Sequence, residues 1–475
     1  MQSRAREFPL RARQALDDQS LRQALAKAQD GFVGKRQTAI DAFPQFEALR
    51  DRGTAIKDHT LAYLDVYLEQ FERAVQDAGG QVHWAESAED AQDIVSDICR
   101  QAGASRVTKA KTMAGEEVGL NEALETAGFE AVETDLGEYI IQLAKEPPSH
   151  IIAPAVHKTR QQISDLFNTH HHGGRLQSAL REVPELVDEA RQRLREKFLT
   201  ADVGITGANF LVAESGSIAL VTNEGNADLT HTLPRVHIAI AGIEKLVPTL
   251  DDAACMLRLL ARSATGQDTS TYTTFVTGPK RASDPDGPEA FHIVLLDNGR
   301  SRMLGNRYRE MLRCIRCGAC MNHCPVYGAV GGHAYGWVYP GPMGSVLTPL
   351  FTGLDGSRDL PNACTLNGRC QTVCPVRIPL PELLRDLRRQ QFERGLAARR
   401  TRWGLAAWGL IARRPRLYHL LARLGVAVLG RLGKRKGAFR RLPLAAGWTA
   451  SRDMPAPQGT TFQQLWKQRQ KDAQS

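Results

Sequence analysis

Cysteines dominate the chemistry that this 475-residue chain can carry, and seven of its nine cysteines lie in two short motifs. The first has the C-x2-C-x2-C-x3-C-P spacing of bacterial ferredoxin-type iron–sulfur sites and reads Cys314-Ile-Arg-Cys317-Gly-Ala-Cys320-Met-Asn-His-Cys324-Pro325. The second reads Cys364-Thr-Leu-Asn-Gly-Arg-Cys370-Gln-Thr-Val-Cys374-Pro375. Three thiolates two residues apart can wrap a tight loop around one cubane cluster. The sequence therefore predicts two iron–sulfur clusters.

The last cysteine of each motif is expected to ligate the neighbouring cluster, as it does in two-cluster ferredoxins. This crossover assigns a [4Fe-4S] cluster to the thiolates of Cys314, Cys317, Cys320 and Cys374. It assigns a second cluster to Cys324, Cys364 and Cys370.

The second set lacks one thiolate, because Asn367 stands where a further copy of the motif would carry cysteine. Three thiolates suit a [3Fe-4S] cluster, and the remaining C-x5-C-x3-C-P spacing is similar to the three-iron site of succinate dehydrogenase iron–sulfur subunits. The alternative is a [4Fe-4S] cluster with Asn367, water or a partner's residue on the fourth iron. We expect [3Fe-4S], with a raised potential because one negative charge is missing.

Other roles fit these cysteines less well. Structural zinc sites use two ligand pairs separated by a longer loop, and consecutive C-x2-C spacings are poor disulfide geometry. Cys99 and Cys255 fall in helical, mostly apolar patterns and are predicted to be buried small side chains. His323 lies inside the first motif and is predicted to be a loop residue and not a ligand.

The net charge of +9 is concentrated towards the carboxyl terminus. Residues 385–475 hold 21 Lys and Arg against 4 Asp and Glu, whereas the residues before them hold 40 against 48. We expect this region to form basic helices that lie at an anionic membrane surface or against an acidic partner. Nucleic acid is not expected as a partner, because no recognised reading motif accompanies the charge.

The amino-terminal residues lack the apolar core of a secretory signal, and no apolar run reaches the length of about eighteen residues that a membrane span needs. A cytoplasmic location is therefore expected, with association at the inner face of the membrane as an extension of it. A reducing compartment also agrees with iron–sulfur chemistry.

Four regions are predicted: helices in 1–75, an α/β domain in 76–298, a mainly helical ferredoxin-type iron–sulfur domain in 299–384 and a basic helical region in 385–475. Apolar runs within the α/β domain predict strands at 82–84, 131–134, 151–153, 236–240 and 291–296. Thr249 and Asp252 are typical of a capping box and predict the start of a helix.

The segment 209–226 has the most closely spaced strand, turn and loop signals of the α/β domain. Two apolar runs flank Glu214-Ser-Gly216, and Asn223-Glu-Gly-Asn226 follows, which predicts two strands, a tight turn and a polar loop. Loops at strand ends of open α/β sheets commonly bind ligands. The alternative is that the two glycines serve turn geometry alone.

These residues carry a specific resemblance. The segment 209–226, with Lys109-Ala-Lys111-Thr-Met113, Glu133-Thr-Asp135-Leu-Gly-Glu138 and His157-Lys-Thr, resembles the LUD (lactate utilisation) domain. Followed by the two cysteine motifs, the chain resembles the iron–sulfur B-subunit family of bacterial lactate-utilisation systems. The resemblance implies a fold like that of ribose-5-phosphate isomerases and CoA transferases. It also implies a role, with two partner subunits, in oxidising L-lactate to pyruvate.

Several charged groups of the LUD-like domain are candidates for contact with a small carboxylate: Lys109, Lys111, His157, Lys158 and Arg235. Glu214 is similar in type to the glutamate nucleophile of CoA transferases and is the one candidate for a catalytic residue. The tract His170-His-His172 invites a metal interpretation, although a flexible loop is expected there, since no acidic or cysteine partner lies nearby in sequence.

The predicted function is electron transfer in L-lactate oxidation, with the two clusters as carriers. One alternative is a CoA-transferase-like enzyme with structural clusters, and another is an assembly scaffold whose clusters never change redox state. Nucleotide enzymes are not expected, because neither G-x-G-x-x-G nor G-x-x-x-x-G-K-[ST] is present.

Overall fold

Short runs of buried aliphatic residues form the strands of an α/β domain. The strands are β1 Gln81–Ala85, β2 Arg106–Lys109, β3 Glu130–Glu133, β4 Val203–Gly207, β5 Phe210–Val212, β6 Ser217–Thr222, β7 Val236–Gly242, β8 Leu246–Val247, β9 Tyr272–Val276 and β10 Ala290–Leu296. The computed structural model of the protein describes residues 3–174, 182–435, 437–442 and 446–474. Of the predicted strands, four coincide with β1, β3, β7 and β10 to within two residues at each end.

Six strands form a central sheet in the order β1-β10-β7-β4-β2-β3, and every neighbouring pair is parallel. Val203 pairs with both Val107 and Val236, so the centre of the sheet is held in register by fully buried or half-buried valines. All the strands therefore end at one edge. Loops at that edge carry polar residues, such as Lys111 after β2 and Asp135 after β3, and are common ligand sites in such sheets.

A second sheet has the order β8-β5-β6-β9. Strands β5 and β6 pair antiparallel, which confirms the predicted two strands and tight turn of 209–226. Gly216 in that turn has φ +64°, and a Cβ there would lie 2.5 Å from the backbone nitrogen of Val75. Glycine is thus required both by conformation and by the helix that packs on the turn.

Helices cover the faces of the sheets. Those of the α/β domain are Ala88–Gln101, Met113–Val118, Leu120–Thr126, Leu136–Ala144, Arg160–His172, Val183–Leu199, Asn226–Thr232 and Leu250–Ala264. Helix Leu250–Ala264 begins as predicted, since the Thr249 side chain accepts a hydrogen bond from the Asp252 N–H. Cys99 and Cys255 are buried in two of these helices, as predicted.

Two local predictions were wrong. Residues 151–153 form bends and not a strand; Ile151 is buried, but against residues of the iron–sulfur region. The tract His170–His172 is the last turn of helix Arg160–His172 and not a loop. A capping box between Thr159 and Gln162 starts that helix, and Gly173 ends it at φ +59°.

The amino-terminal helices are Phe8–Asp17, Gln19–Asp41, Phe46–Ala62 and Leu64–Asp77, after a short 3-10 helix at Ala5–Glu7. Helix Phe46–Ala62 packs on the α/β domain, since Lys57 donates to the backbone oxygen of Leu246 at 3.2 Å. Helix Gln19–Asp41 contacts helix Leu250–Ala264 of the α/β domain and also packs on the iron–sulfur region, where Arg36 donates to the Val373 oxygen at 2.9 Å.

The region after β10 is built from short helices, as predicted for a mainly helical domain. They are Ser301–Leu304, Ala319–Asn322, Pro325–Val330, Gly341–Thr352, Arg369–Thr372 and Leu380–Glu393, with 3-10 turns at Arg309–Arg313, His333–Tyr335 and Leu360–Asn362. Residues Met1–Gln391 form one compact unit, so this region and the α/β domain are a single packed body.

Residues Phe392–Ser475 form a second compact unit. Its elements are helices Arg399–Ala412, Pro415–Gly433, Ala446–Thr449 and Phe462–Asp472, with a small pair of strands at Ala438–Phe439 and Met454–Pro455. Trp403 is 78% exposed and Trp408 is 61% exposed. Among the described residues, no helix is both long enough and apolar enough to cross a bilayer.

Candidate iron–sulfur centre and adjoining cavity

Four thiols surround one cavity. Cys314, Cys317, Cys320 and Cys374, the first thiol group, line this cavity together with apolar neighbours such as Met343 and Leu380. Three of these cysteines come from the loop before helix Ala319–Asn322 and its first turn, and the fourth comes from the end of the second motif. The chain thus brings together the four residues that crossover ligation requires. A cavity with four converging thiols fits a cubane cluster.

The electrostatics of this group show how close the thiols lie. Burial, and then the charges of Cys374 and Cys314, raise the pKa of Cys317 to about 12. Burial and then Cys314 and Cys317 raise the pKa of Cys320 well above its ordinary value. Four thiolates in an apolar cavity repel one another strongly, so the deprotonated set requires bound cations such as iron.

Cys324, Cys364 and Cys370 form the second thiol group. Burial raises the pKa of Cys370 to about 12, with Cys364 and Cys324 as the next contributors. Cys370 also contributes to the raised pKa of Cys320, so the two groups adjoin each other. Burial raises the pKa of the fully buried Tyr335 well above its ordinary value, and the charges of Cys324 and Cys364 contribute to the increase.

The two motifs share a backbone conformation. Arg316 and Gly318 have φ +60° and +73°, and Leu366 and Gly368 have φ +56° and +80°. Asn367 lies between the latter two, in the position that Cys317 holds in the first motif. Two non-glycine residues with positive φ at equivalent positions indicate one loop built twice.

The side-chain oxygen of Asn367 and the sulfur of Cys317 accept equivalent hydrogen bonds from the backbone. Asn367 Oδ1 accepts a hydrogen bond from the Arg369 N–H at 3.2 Å. The Cys317 thiol accepts the equivalent bond from the Ala319 N–H, which lowers its pKa against the larger effect of burial. Asn367 is exposed, and so are its neighbours Thr365 and Leu366. In the second loop, an exposed amide therefore stands at the position that a thiol holds in the first.

Backbone amides and buried arginines supply positive charge around the sulfurs. The Tyr327, Leu366 and Ile378 N–H groups donate to Cys324, Cys364 and Cys374 Sγ at 3.5, 3.3 and 3.4 Å. Arg36 and Arg50 of the amino-terminal helices bind the carbonyl oxygens of residues 372–374 at 2.7–3.2 Å. Such groups favour the more negative, reduced state of a cluster.

A large cavity, about 1370 Å³ including its open mouth, lies at the carboxyl ends of β2, β4 and β7. Its polar lining includes Lys111, Asp135, Thr206, Asn209, Asn223, Glu224, Lys245 and Arg316. Ile151 and Arg316 line both this cavity and the cavity of the first thiol group. The candidate ligand site at the sheet edge therefore adjoins the candidate cluster site.

Of the predicted carboxylate-binding residues, Lys111 alone among the five candidates lines the large cavity. Lys109 is buried and pairs with Glu116 at 2.9 Å and Glu133 at 2.7 Å. Burial opposes its charge, but these carboxylates raise the pKa of Lys109 above its ordinary value. Lys109 therefore belongs to an internal ion network and does not line the cavity.

The remaining candidates lie elsewhere. His157 and Lys158 both contact the Glu146 carboxylate, at 2.7 and 2.5 Å. Arg235 precedes β7 and so lies at the opposite edge of the parallel sheet from the cavity. Glu214 is exposed, and its carboxylate accepts a hydrogen bond from the Leu250 N–H at 2.7 Å at a helix start. The CoA-transferase alternative stays an untested prediction.

The histidine tract has a structural role in the described chain. His171 lies between the Tyr139 hydroxyl at 2.8 Å and the Glu189 carboxylate at 2.9 Å, and its ring stacks on Phe167. His323 is half-buried and its Nδ1 lies 2.9 Å from the Ala319 oxygen, so it belongs to the loop that positions Cys320.

A buried ion network between the two domains was missed by the sequence analysis. Arg300 donates to Glu117 at 2.8 Å and to Glu244 at 2.6 Å, Arg316 reaches Glu244 at 3.2 Å, and the Tyr339 hydroxyl donates to Glu117 at 2.6 Å. Burial alone would raise the pKa of Glu244, but Arg300 and Arg316 hold it at about 2. Nothing in chain order links these residues, because each comes from a different element.

Removing Arg300 should destabilise the protein severely. The Arg300→Gln variant leaves Glu117 and Glu244 buried without their main partner, a change that typically costs about 3–5 kcal/mol. We expect a large fall in the urea midpoint of unfolding, followed by circular dichroism of the anaerobic protein. Arg302→Gln, two residues further along the chain and exposed, serves as the control and should shift the midpoint little. Equal midpoints for the two variants would show that the network contributes no stability.

The fold and the two thiol groups define a class of protein, in which an α/β domain with a parallel sheet is joined to a ferredoxin-type dicluster domain. Residues 68–296 match the LUD domain, and residues 310–378 match the 4Fe-4S dicluster domain. Residues 394–471 match the carboxyl-terminal domain of lactate utilisation protein B. The chain belongs to the lactate utilisation protein B family, as its full-length relatives show.

Lactate utilization protein B of Shouchella clausii (strain KSM-K16) is 43% identical over 472 residues, covering 98% of this chain and 97% of the relative. The protein of the same name from Anoxybacillus flavithermus (strain DSM 21510 / WK1) is 44% identical over 472 residues and covers 98% of each. The electron transport protein YkgF of Escherichia coli (strain K12) is 42% identical over 465 residues, 98% of this chain and 97% of its own.

Proposed function

We propose that this chain is the iron–sulfur electron-transfer subunit of a multi-subunit system that oxidises L-lactate to pyruvate. The observation that carries the proposal is the pair of adjoining thiol groups within a region that matches a dicluster domain. The names of the relatives, lactate utilization protein B and an electron transport protein, supply the metabolic setting. Two other lactate-utilisation subunits are the proposed partners.

The first thiol group fits a [4Fe-4S] cluster, with Cys314, Cys317, Cys320 and Cys374 as ligands. A cluster held there supplies one-electron transfer. The protein's own contribution is to exclude water with apolar residues such as Met343 and Leu380 and to place arginines and N–H groups near the sulfurs. Both features tune the potential of a bound cluster.

The second thiol group offers three thiolates, and we propose a [3Fe-4S] cluster on Cys324, Cys364 and Cys370. The alternative is a [4Fe-4S] cluster in which the side-chain oxygen of Asn367 is the fourth protein ligand. Amide oxygen is a much weaker iron ligand than thiolate, which favours three irons. Fewer thiolates also mean a higher potential than that of the first cluster.

The surroundings of the two groups suggest a direction for electrons. The first group adjoins the large cavity of the α/β domain through Ile151 and Arg316. The second group lies beneath the exposed residues Thr365, Leu366 and Asn367. A partner that docks on this loop can exchange electrons with the second group, while the first group faces the interior.

The basic region supports a further part of the proposal. Residues 385–475 carry a strong excess of Lys and Arg, and Trp403 and Trp408 are largely exposed on helix Arg399–Ala412. Contact of this region with an acidic partner or an anionic membrane surface at the cytoplasmic face is proposed. The likeness of the LUD domain to ribose-5-phosphate isomerases and CoA transferases stays a prediction.

Anaerobic reconstitution of the full chain with iron and sulfide tests the proposal. Electron paramagnetic resonance is expected to show two centres that reduce at different potentials. Addition of L-lactate together with the two partner subunits should then reduce at least one centre. A colourless protein that retains zinc, or clusters that lactate and partners leave oxidised, would falsify the electron-transfer role.

A further inference from the structure

The large cavity holds a buried cation without a partner. Lys111 follows β2 at the carboxyl edge of the sheet, and its Nζ is buried yet makes no hydrogen bond within the described part of the chain. Burying an ammonium group without a partner costs several kcal/mol. An anion bound in the cavity would remove that cost.

No carboxylate accepts a hydrogen bond from the Lys111 ammonium in the described part of the chain. The charge of Lys111 reaches Glu138 and Glu224 over a longer distance, where it opposes the larger effect of burial that raises their pKa values. Glu224 instead accepts from the Leu136 N–H at 3.1 Å. Burial, and then the charge of Asp135, raises the pKa of Glu224, which weakens its repulsion of an anion.

Further cations lie at the end of the cavity nearest the first thiol group. Lys245 lines the cavity there, as does Arg316, whose guanidinium stacks over the Tyr339 ring at 4.7 Å. Arg316 is already engaged with Glu244, so Lys111 and Lys245 are the cations best placed to receive a ligand. Without its open mouth the cavity measures about 270 Å³, near the lower end of the roughly 300–1,000 Å³ of common small-molecule sites, which is room for a small organic anion.

We propose that this cavity binds an organic anion through Lys111, next to the first thiol group. The recognised chemistry is a carboxylate or a phosphate, which could belong to a hydroxy or keto acid or to a phosphorylated redox cofactor. The inference rests on the proposed function only in that an electron-transfer role gives such a ligand a reason to adjoin a cluster. The binding itself depends on the cavity and its lysines.

Calorimetric titration of the anaerobically reconstituted full chain, in buffer without phosphate, tests the inference. The probes are L-lactate, pyruvate, inorganic phosphate and flavin mononucleotide. At least one is expected to bind, and Lys111→Gln should weaken its affinity by about tenfold or more. Binding of the acids alone identifies a carboxylate site, and binding of flavin mononucleotide or phosphate alone identifies a phosphate site.

Lys27→Gln, an exposed lysine of helix Gln19–Asp41, is the control and should bind like the natural chain. If Lys111→Gln does not fold, Lys245→Gln replaces it, with the same loss of affinity expected. Failure of all four probes to bind, or unchanged affinity in the folded lysine variant, overturns the inference. Cluster spectra of the same samples separate this failure from that of the proposed function, which is lost only when the clusters are absent or inert.

Discussion

Replacing Asn367 with cysteine is expected to convert the second cluster from [3Fe-4S] to [4Fe-4S]. Oxidised [3Fe-4S] centres are paramagnetic, whereas oxidised [4Fe-4S] centres of this type are not. The strong signal of the oxidised natural protein should therefore disappear in Asn367→Cys, and iron should rise from about seven to about eight per chain. The added thiolate should also lower the potential of that centre.

The expectation rests on the repeated loop conformation of the two motifs. Arg316 and Leu366, and likewise Gly318 and Gly368, have matching positive φ values, so a sulfur at position 367 should point where that of Cys317 points. The hydrogen bond from Arg369 N–H to Asn367 Oδ1 would then pass to the new thiolate. Thr365→Cys adds a cysteine to the same exposed loop and should leave the signal unchanged. A full signal in Asn367→Cys, or none in the natural protein, would refute the three-iron assignment.

The second large effect is expected from single cysteine substitutions. Each should remove the cluster that is bound mainly by the other motif. Cys374 belongs to the second motif but lines the cavity of the first thiol group, and Cys324 belongs to the first motif but adjoins Cys364. Cys374→Ser should therefore abolish the reduced [4Fe-4S] signal and keep the oxidised [3Fe-4S] signal. Cys324→Ser should do the reverse.

Electron paramagnetic resonance of both variants, oxidised and reduced, measures this exchange. Cys99→Ala removes a buried cysteine of helix Ala88–Gln101, outside both thiol groups, and should keep both signals. If each variant instead loses the cluster of its own motif, ligation follows chain order and the crossover assignment is wrong. Loss of both clusters in both variants points to a single cooperative unit, which also contradicts independent assignment.

Local sequence patterns predicted the parts of the fold that depend on local physics. The runs 236–240 and 291–296 are buried on both faces in a parallel sheet, where continuous apolar sequence is typical. The Thr249 cap and the turn at Gly216 depend on a few neighbouring residues, and the structure confirms both. The same method failed at 151–153, because an apolar run signals burial and not the partner that buries it.

The candidate site was also predictable only in part. The thiol groups could be predicted from the cysteine spacing, since most ligands of one cluster lie close together in sequence. The lining of the large cavity could not be predicted, because Lys111, Asn209, Lys245 and Arg316 meet only after the sheet has formed and the iron–sulfur region has packed on it. Lys111 was one of five charged residues of the LUD-like domain predicted to contact a small carboxylate, and it is the one of the five that lines the cavity.

The hydrogen bonds from Arg36 and Arg50 to the loop that ends at Cys374 have a consequence for biosynthesis. Those contacts join residues 322 to 337 positions apart in sequence. The helices that carry Arg36 and Arg50 are therefore synthesised long before the loop that they bind. Iron delivered during translation would encounter the first motif without Cys374 and without this cover. Cofactor insertion should therefore be a post-translational event, which places the nascent chain in need of protection from oxygen and from competing metals until synthesis is complete.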